Sequence, residues 1–172
     1  DGVAEFDLAT QRFKTLLQGN VDAIYFNEKL YIGKREEVFV YNESTGNFDL
    51  FYHLAGKNIT LSCLHLGKNK NLWMGTTSNG IYCLSENKSL SRPVTKGNIT
   101  SIYEDSSNEL WIGSWEEGLY RVKTDGNIEN LRHNPMNTNS LCSNFVRSCC
   151  EDNSGDLWIG TFNGLNRYDR ET

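Results

Sequence analysis

One short phrase recurs along this chain. Leu72-Trp73-Met74-Gly75-Thr76, Leu110-Trp111-Ile112-Gly113-Ser114 and Leu157-Trp158-Ile159-Gly160-Thr161 are copies of it, and Leu30-Tyr31-Ile32-Gly33-Lys34 is a weaker fourth. Each strong copy is followed, after a polar turn, by a second Gly and an apolar run: Gly80 to Leu84, Gly118 to Val122 and Gly164 to Tyr168. In the weak copy Glu37 takes the place of that Gly. Upstream of each phrase lies a second shared block, at Val21 to Tyr25, Leu61 to His65, Ile99 to Tyr103 and Val146 to Cys150, apolar at its first and fourth positions. The aromatic position falls at residues 31, 73, 111 and 158, so its spacings are 42, 38 and 47 residues. Such a period accommodates four short strands and matches propeller blades, whereas helical solenoids would need long amphipathic segments that the sequence lacks.

The expected fold is therefore all-β: a β-propeller fragment of about four blades, each of four antiparallel strands. The upstream block is strand A, the tryptophan phrase strand B and the run after the second Gly strand C. Strand D is a variable run, read at Arg12 to Leu17, Asn47 to His53 and Asn127 to His133, and least distinctly near Leu90 to Thr95. Gly2 to Asp7 matches Gly164 to Asp169, so the chain is expected to be a piece of something longer, opening inside a repeat. The whole chain then reads as one propeller segment, with residues 1–19 ending a preceding blade, blades at 20–56, 57–96 and 97–140, and a partial blade at 141–172. The first Gly of each phrase lets its strand pass close to a neighbour, and the Trp before it packs between blades.

Composition agrees and narrows the function. Of 172 residues, 20 are Asn and 15 Gly against 2 Pro, a mixture suited to tight turns. With 17 basic and 22 acidic residues and no long basic run, no nucleic-acid partner is expected. No apolar stretch is long enough for a spanning helix. The five Cys show no zinc spacing. Cys149 and Cys150 read as small core residues, Cys149 standing where Ile102 stands in the preceding repeat. Sequons at Asn42, Asn58, Asn87 and Asn98 are attributed to the abundance of Asn.

The run from His133-Asn134-Pro135 through Ser140-Leu141-Cys142-Ser143-Asn144-Phe145-Val146, then Glu151-Asp152 to Gly155, Leu157-Trp158-Ile159-Gly160-Thr161 and Gly164-Leu165-Asn166-Arg167-Tyr168-Asp169, resembles the two-component regulator propeller repeat. The first repeat departs from it at Tyr31, Lys34 and Glu37, and the second has Leu66-Gly67 where others have Glu-Asp. The resemblance implies the periplasmic sensor region of a Bacteroides-type hybrid two-component system. There, propellers precede a membrane helix and a histidine kinase, and the sensor responds to oligosaccharides released from glycans. It implies a ligand-sensing segment that is not itself an enzyme, with the kinase elsewhere in the parent chain.

Catalysis has no visible carrier. His53, His65 and His133 lie in different repeats without ligand spacing, and neither a metal nor a cofactor is expected. The recurring Glu104-Asp105 and Glu151-Asp152 pairs suit turn hydrogen bonding better than acid/base work, and Glu116-Glu117 reads as a solvated hairpin tip. Sugar binding would need aromatic faces and planar polar groups on loops at one end of a rigid scaffold. In an up-and-down blade the B–C turns and D–A connections share one end, with Asn20, Asn98 and Asn144 ahead of the A strands. The candidate ligand-binding residues there are Arg35, Asn79, Trp115, Glu116, Phe162 and Asn163, with Trp115 and Phe162 foremost. The expected partners are an oligosaccharide or other small molecule, the neighbouring blades of the parent chain and, for an open arc, a second copy forming a homodimer. Two rival readings are a protein-interaction propeller scaffold and a carbohydrate-active propeller enzyme.

Overall fold

The computed structural model describes residues 2–54, 59–91 and 93–170. Short apolar runs punctuated by Gly and Asn give sixteen strands and, among the described residues, no helix. A hairpin of β1 (Gly2–Asp7) and β2 (Arg12–Gln18) comes first. The next sheet contains β3 (Ala23–Asn27), β4 (Lys29–Lys34), β5 (Glu37–Asn42) and β6 (Asn47–His53). A three-stranded sheet follows, of β7 (Leu61–Leu66), β8 (Leu72–Thr76) and β9 (Ile81–Leu84). Then come β10 (Ile99–Glu104), β11 (Leu110–Ser114), β12 (Leu119–Val122) and β13 (Ile128–Leu131). The last sheet is β14 (Val146–Glu151), β15 (Leu157–Thr161) and β16 (Gly164–Tyr168). Strands within each sheet pair antiparallel in chain order, so the molecule is an arc of a β-propeller with four blade-like sheets.

The expected fourth strand of the second blade does not form as a strand. Near Leu90 to Thr95 there is one bridge, Leu84 to Leu90, with the Ser91 and Val94 amides bonding to the carbonyls of Cys83 and Ile81. Pro93 has no N–H to give a ladder, and the Ser91 hydroxyl, rather than a backbone carbonyl, accepts the Cys83 N–H. The D strand read at Asn127 to His133 is shorter, and the first A strand starts two residues later than read. The division expected between residues 56 and 57, and the sequon at Asn58, lie outside the described residues.

Apolar seams join the sheets. Leu61, Ile99 and Val146, the first residues of β7, β10 and β14, are buried at the glycines of the preceding sheets' B strands, Gly33, Gly75 and Gly113. A methyl on Gly75 would lie 2.8 Å from Ile99 Cγ2, and one on Gly113 would lie 2.9 Å from Val146 Cγ1. The glycines therefore set how closely successive blades approach. Trp73 joins the cluster of Ile81, Ile99, Leu110 and Ile112, while Trp111 packs with Leu141, Val146 and Leu157, as expected of residues between blades. Hydroxyls tie the same seams: Ser62 Oγ donates to the Ile99 carbonyl and Thr100 Oγ1 to that of Val146, both at 2.5 Å.

No sheet follows β14–β16 among the described residues, and the pattern shows it. Leu165 is 61% exposed, although its counterparts Ile81 and Leu119 are buried. The same geometry corrects the reading of Cys150 as a core residue. Neighbours on a strand point to opposite faces, so Cys149 turns inward with its thiol pushed up to about 12 by burial, while Cys150 is exposed. The corresponding Tyr25 of the first sheet meets His65 of the next at 5.3 Å between rings.

Candidate ligand-binding face

Strand register separates two ends of the arc. Leu61 pairs with Thr76, Ile99 with Ser114 and Val146 with Thr161, so the A strands begin where the B strands finish. The A–B turns lie at one end, and the B–C turns with the D–A connections at the other.

At the A–B end the acidic pairs are engaged in holding turns. Asp105 Oδ1 accepts the amides of Ser107 and Glu109, both at 2.9 Å, and its Oδ2 accepts the Trp111 indole N–H and the Arg170 guanidinium, both at 2.7 Å. Asp152 repeats this for Ser154, Asp156 and the Trp158 indole. The preceding glutamates reach back one blade: Glu104 Oε2 accepts the Lys68 amide at 2.9 Å, and Glu151 Oε2 accepts that of Ser106 at 2.8 Å. Burial pushes the Asp105 carboxyl upward, but the Trp111, Glu109 and Arg170 donors outweigh it and hold it below the ordinary carboxylate value. Asp152 is also lowered, chiefly by the Trp158 indole. Carboxylates committed in this way serve as structural latches, in keeping with the turn reading.

At the opposite end the backbone pattern is equally regular. Leu61 N–H donates to the Arg35 carbonyl, Gly80 to Gly97 and Gly118 to Asn144, each linking one sheet's B–C turn to the next sheet's entry. Within a sheet, the amides of Thr77, Trp115 and Phe162 donate to the carbonyls of Thr60, Asn98 and Phe145. Equivalent positions therefore carry Thr, Trp and Phe after the B strand, and Thr, Asn and Phe before the A strand. Phe145, not Asn144, is the counterpart of Asn98.

Those substitutions build an aromatic ribbon across the last two sheets. Trp115 meets Phe145 edge-on with ring centroids 5.3 Å apart, and Phe145 meets Phe162 at 6.0 Å. Trp115 is 37% exposed and Phe162 66%. The Arg147 guanidinium lies over the Trp115 ring, 5.0 Å from its centroid. The Trp115 turn is braced from behind: Arg132 pairs with Glu117 and donates to the Glu116 carbonyl, Asn130 donates to the Glu117 carbonyl, and the Glu117 amide bonds to Ser114 Oγ. Glu117 is thus held in an ion pair rather than solvated, while the neighbouring Glu116 is exposed.

Of the six residues chosen from sequence, the structure brings Trp115 and Phe162 into one patch, with Glu116 and Asn163 on their turns. Arg35 and Asn79 occupy the equivalent turns of earlier sheets and take no part in the ribbon. Arg35 has φ of 53°, its amide bonded to Asp22, and Asn79 bridges to Gly97. Phe145 and Arg147 were not singled out by sequence, although both break the repeat: Phe145 replaces Thr60 and Asn98, and Arg147 replaces Ser62 and Thr100. A cleft of about 720 Å³ between the β1–β2 hairpin and the β3–β6 sheet, with Val3, Leu16, Ile24 and Leu30 among its lining residues, contains none of the six.

The sequence model of the two component regulator propeller matches residues 93–116 and 140–163. Each match enters through a D–A connection and ends inside a B–C turn, covering Trp115, Glu116, Phe162 and Asn163. Among solved structures the arc superposes on the extracellular domain of a hybrid two component system from B. thetaiotaomicron with TM-score 0.79 and 23% identity, over 96% of this chain and 23% of that one. A second such extracellular domain from the same organism gives 0.81 and 20%, over 97% and 24%. Virginiamycin B lyase from Staphylococcus aureus gives 0.74 and 14%, over 98% and 59%. The chain thus spans about a quarter of the two-component domains, and at these identities the likeness establishes the fold. No curated protein matches the chain.

Proposed function

Because this chain carries two-component regulator propeller repeats in its β10–β16 half, we propose that it is a ligand-sensing, extracytoplasmic module of a hybrid two-component sensor kinase. Its ligand is a glycan-derived oligosaccharide, and the segment itself is not catalytic. The observation that carries the reading is the ribbon Trp115–Phe145–Phe162, with Trp115 and Phe162 exposed, at positions where the second repeat has Thr60 and Thr77. Aromatic faces of this kind suit the apolar faces of pyranose rings, and the braced turn reduces the ordering cost of binding. For a bound sugar to signal, it must favour one arrangement of the receptor over another, which a site spanning two blades can achieve. The likeness to extracellular two-component domains supports an extracytoplasmic setting, and no helix among the described residues is long and apolar enough to cross a membrane.

Calorimetry of this chain against a panel of oligosaccharides, run beside a turnover assay, tests the proposal. Binding without product, weakened about tenfold or more by Trp115→Ala, is the expected result. Product formation would instead favour an enzyme, a reading to which the lyase fold likeness lends some support. Absence of binding across the panel, together with an unchanged response of the intact receptor carrying Trp115→Ala, would contradict the proposal.

A further inference from the structure

The second residue of each A strand has a structural task in the middle of the arc. Ser62 and Thr100 use their hydroxyls to bond the carbonyl that opens the next A strand. Arg147 holds this position in β14 and does nothing of the kind. Its guanidinium carries five N–H donors and no acceptor, yet among the described residues no carboxylate lies within ion-pairing distance of it, and it lies over the Trp115 ring. Arg132, beside the same turn, is by contrast engaged with Glu116 and Glu117. A guanidinium held over an indole face keeps N–H donors available to a further acceptor. The patch therefore combines an apolar ring surface with a positioned, uncommitted cation.

We infer that the saccharide bound at this face is anionic, carrying a carboxylate or sulfate, and that Arg147 with Phe145 selects it: the rings of Trp115, Phe145 and Phe162 take a sugar face while the Arg147 edge takes the acid group. This rests on the sensing proposal above and deepens it. A planar carboxylate or a sulfate can accept two parallel N–H bonds from arginine, which a hydroxyl cannot match. Glu116 acts in the opposite sense. It is exposed on the same turn, and its carboxylate oxygens take no hydrogen bond from the described residues, so its charge opposes an acidic ligand.

The experiment compares matched probes on the 172-residue chain: neutral trisaccharides of glucose and galactose, their C6-oxidised uronate counterparts, and sulfated forms of the neutral sugars, with inorganic sulfate as control. The acidic probes are expected to bind about tenfold more tightly than the neutral ones, a preference that shrinks with added salt. Whether uronates or sulfated sugars lead identifies the source of the charge. Arg147→Gln is expected to abolish the preference, so that acidic and neutral probes bind alike. Arg147→Lys should restore part of it, and Glu116→Gln should enlarge it. Equal binding of neutral and acidic probes by the unmodified chain, with both lost in Trp115→Ala, would overturn the anionic assignment and leave the sensing proposal standing. Binding of no saccharide would overturn both. Sulfate binding as tightly as the sulfated sugars would overturn the role of the rings.

Discussion

The two ends of the β10–β16 half differ in what repeats. At the A–B end both backbone and side chains recur: Asp105 and Asp152 each hold a turn and a tryptophan, and Glu104 and Glu151 each hold the turn of the sheet before. At the B–C end the backbone bonds recur just as faithfully, but the side chains mounted on them change from Thr77 to Trp115 to Phe162 and from Ser62 and Thr100 to Arg147. Each blade buries its faces against its neighbours, so whatever sets blade spacing must be the same in every repeat. A recognition surface is under no such constraint. Recurrence therefore marks the scaffold, and departure from it on an invariant backbone marks the surface available for function.

The sharpest way to break the scaffold half of this comparison is at a glycine. Gly118 has φ of +80°, and a methyl there would sit 2.3 Å from the Leu131 carbonyl oxygen. Gly118→Ala is expected to lose about 3 kcal/mol from the combined backbone strain and clash, read from the urea midpoint. An unmoved midpoint would mean that the C and D strands do not approach as closely as described.

The latches come next. Asp105 is 1% exposed and serves four donors, so Asp105→Ala, which strands them, should lose about 3 kcal/mol. Asp152→Ala, at the more open last sheet, should lose less, and equal losses would show that burial does not distinguish the two latches. Both carboxyls titrate below the ordinary value in the folded chain. Their contribution is then complete above the unfolded pKa of about 4 and is lost as pH falls through the lower folded values. Stability is expected to decline below about pH 4, with a shallower decline in Asp105→Ala.

On the recognition half, Trp115→Ala should cost only about 1 kcal/mol of stability, because the ring is partly exposed and its turn is held by Arg132, Asn130 and Ser114. A loss comparable to that of Asp105→Ala would move Trp115 into the scaffold. The smallest effect concerns the cysteine pair. Cys150→Ser should change stability by less than about 0.5 kcal/mol. Alkylation of the native chain should modify exposed Cys142 and Cys150 well before Cys63 and Cys149, whose thiols burial pushes up to about 12. Labelling of Cys149 at the rate of Cys150 would contradict the opposite orientation of these neighbours.

These contrasts also explain what could be read without coordinates. The tryptophan strands β8, β11 and β15 have the bounds that their phrases imply, because Leu-Trp-x-Gly carries both the strand and its seam. The missing strand near Leu90 was harder to read, since the loss follows from Pro93 and a serine side chain acting together. Trp115 and Phe162 were visible because aromatic residues are unusual in turns. Phe145 stands against Asn98 once Val146 is aligned with Ile99, and the backbone bonds to Asn98 and Phe145 agree with that alignment. Arg147 gave no local signal, since a charged residue on a strand reads as solvated until the ring beneath it is seen.

The most direct test of the division between a repeating scaffold and a non-repeating recognition surface is amide hydrogen exchange, with and without the tightest-binding oligosaccharide of the panel. Slowed exchange confined to Trp115–Gly118 and Phe145–Arg147, with the Asp105 and Asp152 turns unchanged, is the predicted result. Protection centred on those A–B turns, or spread evenly over all sheets, would contradict it.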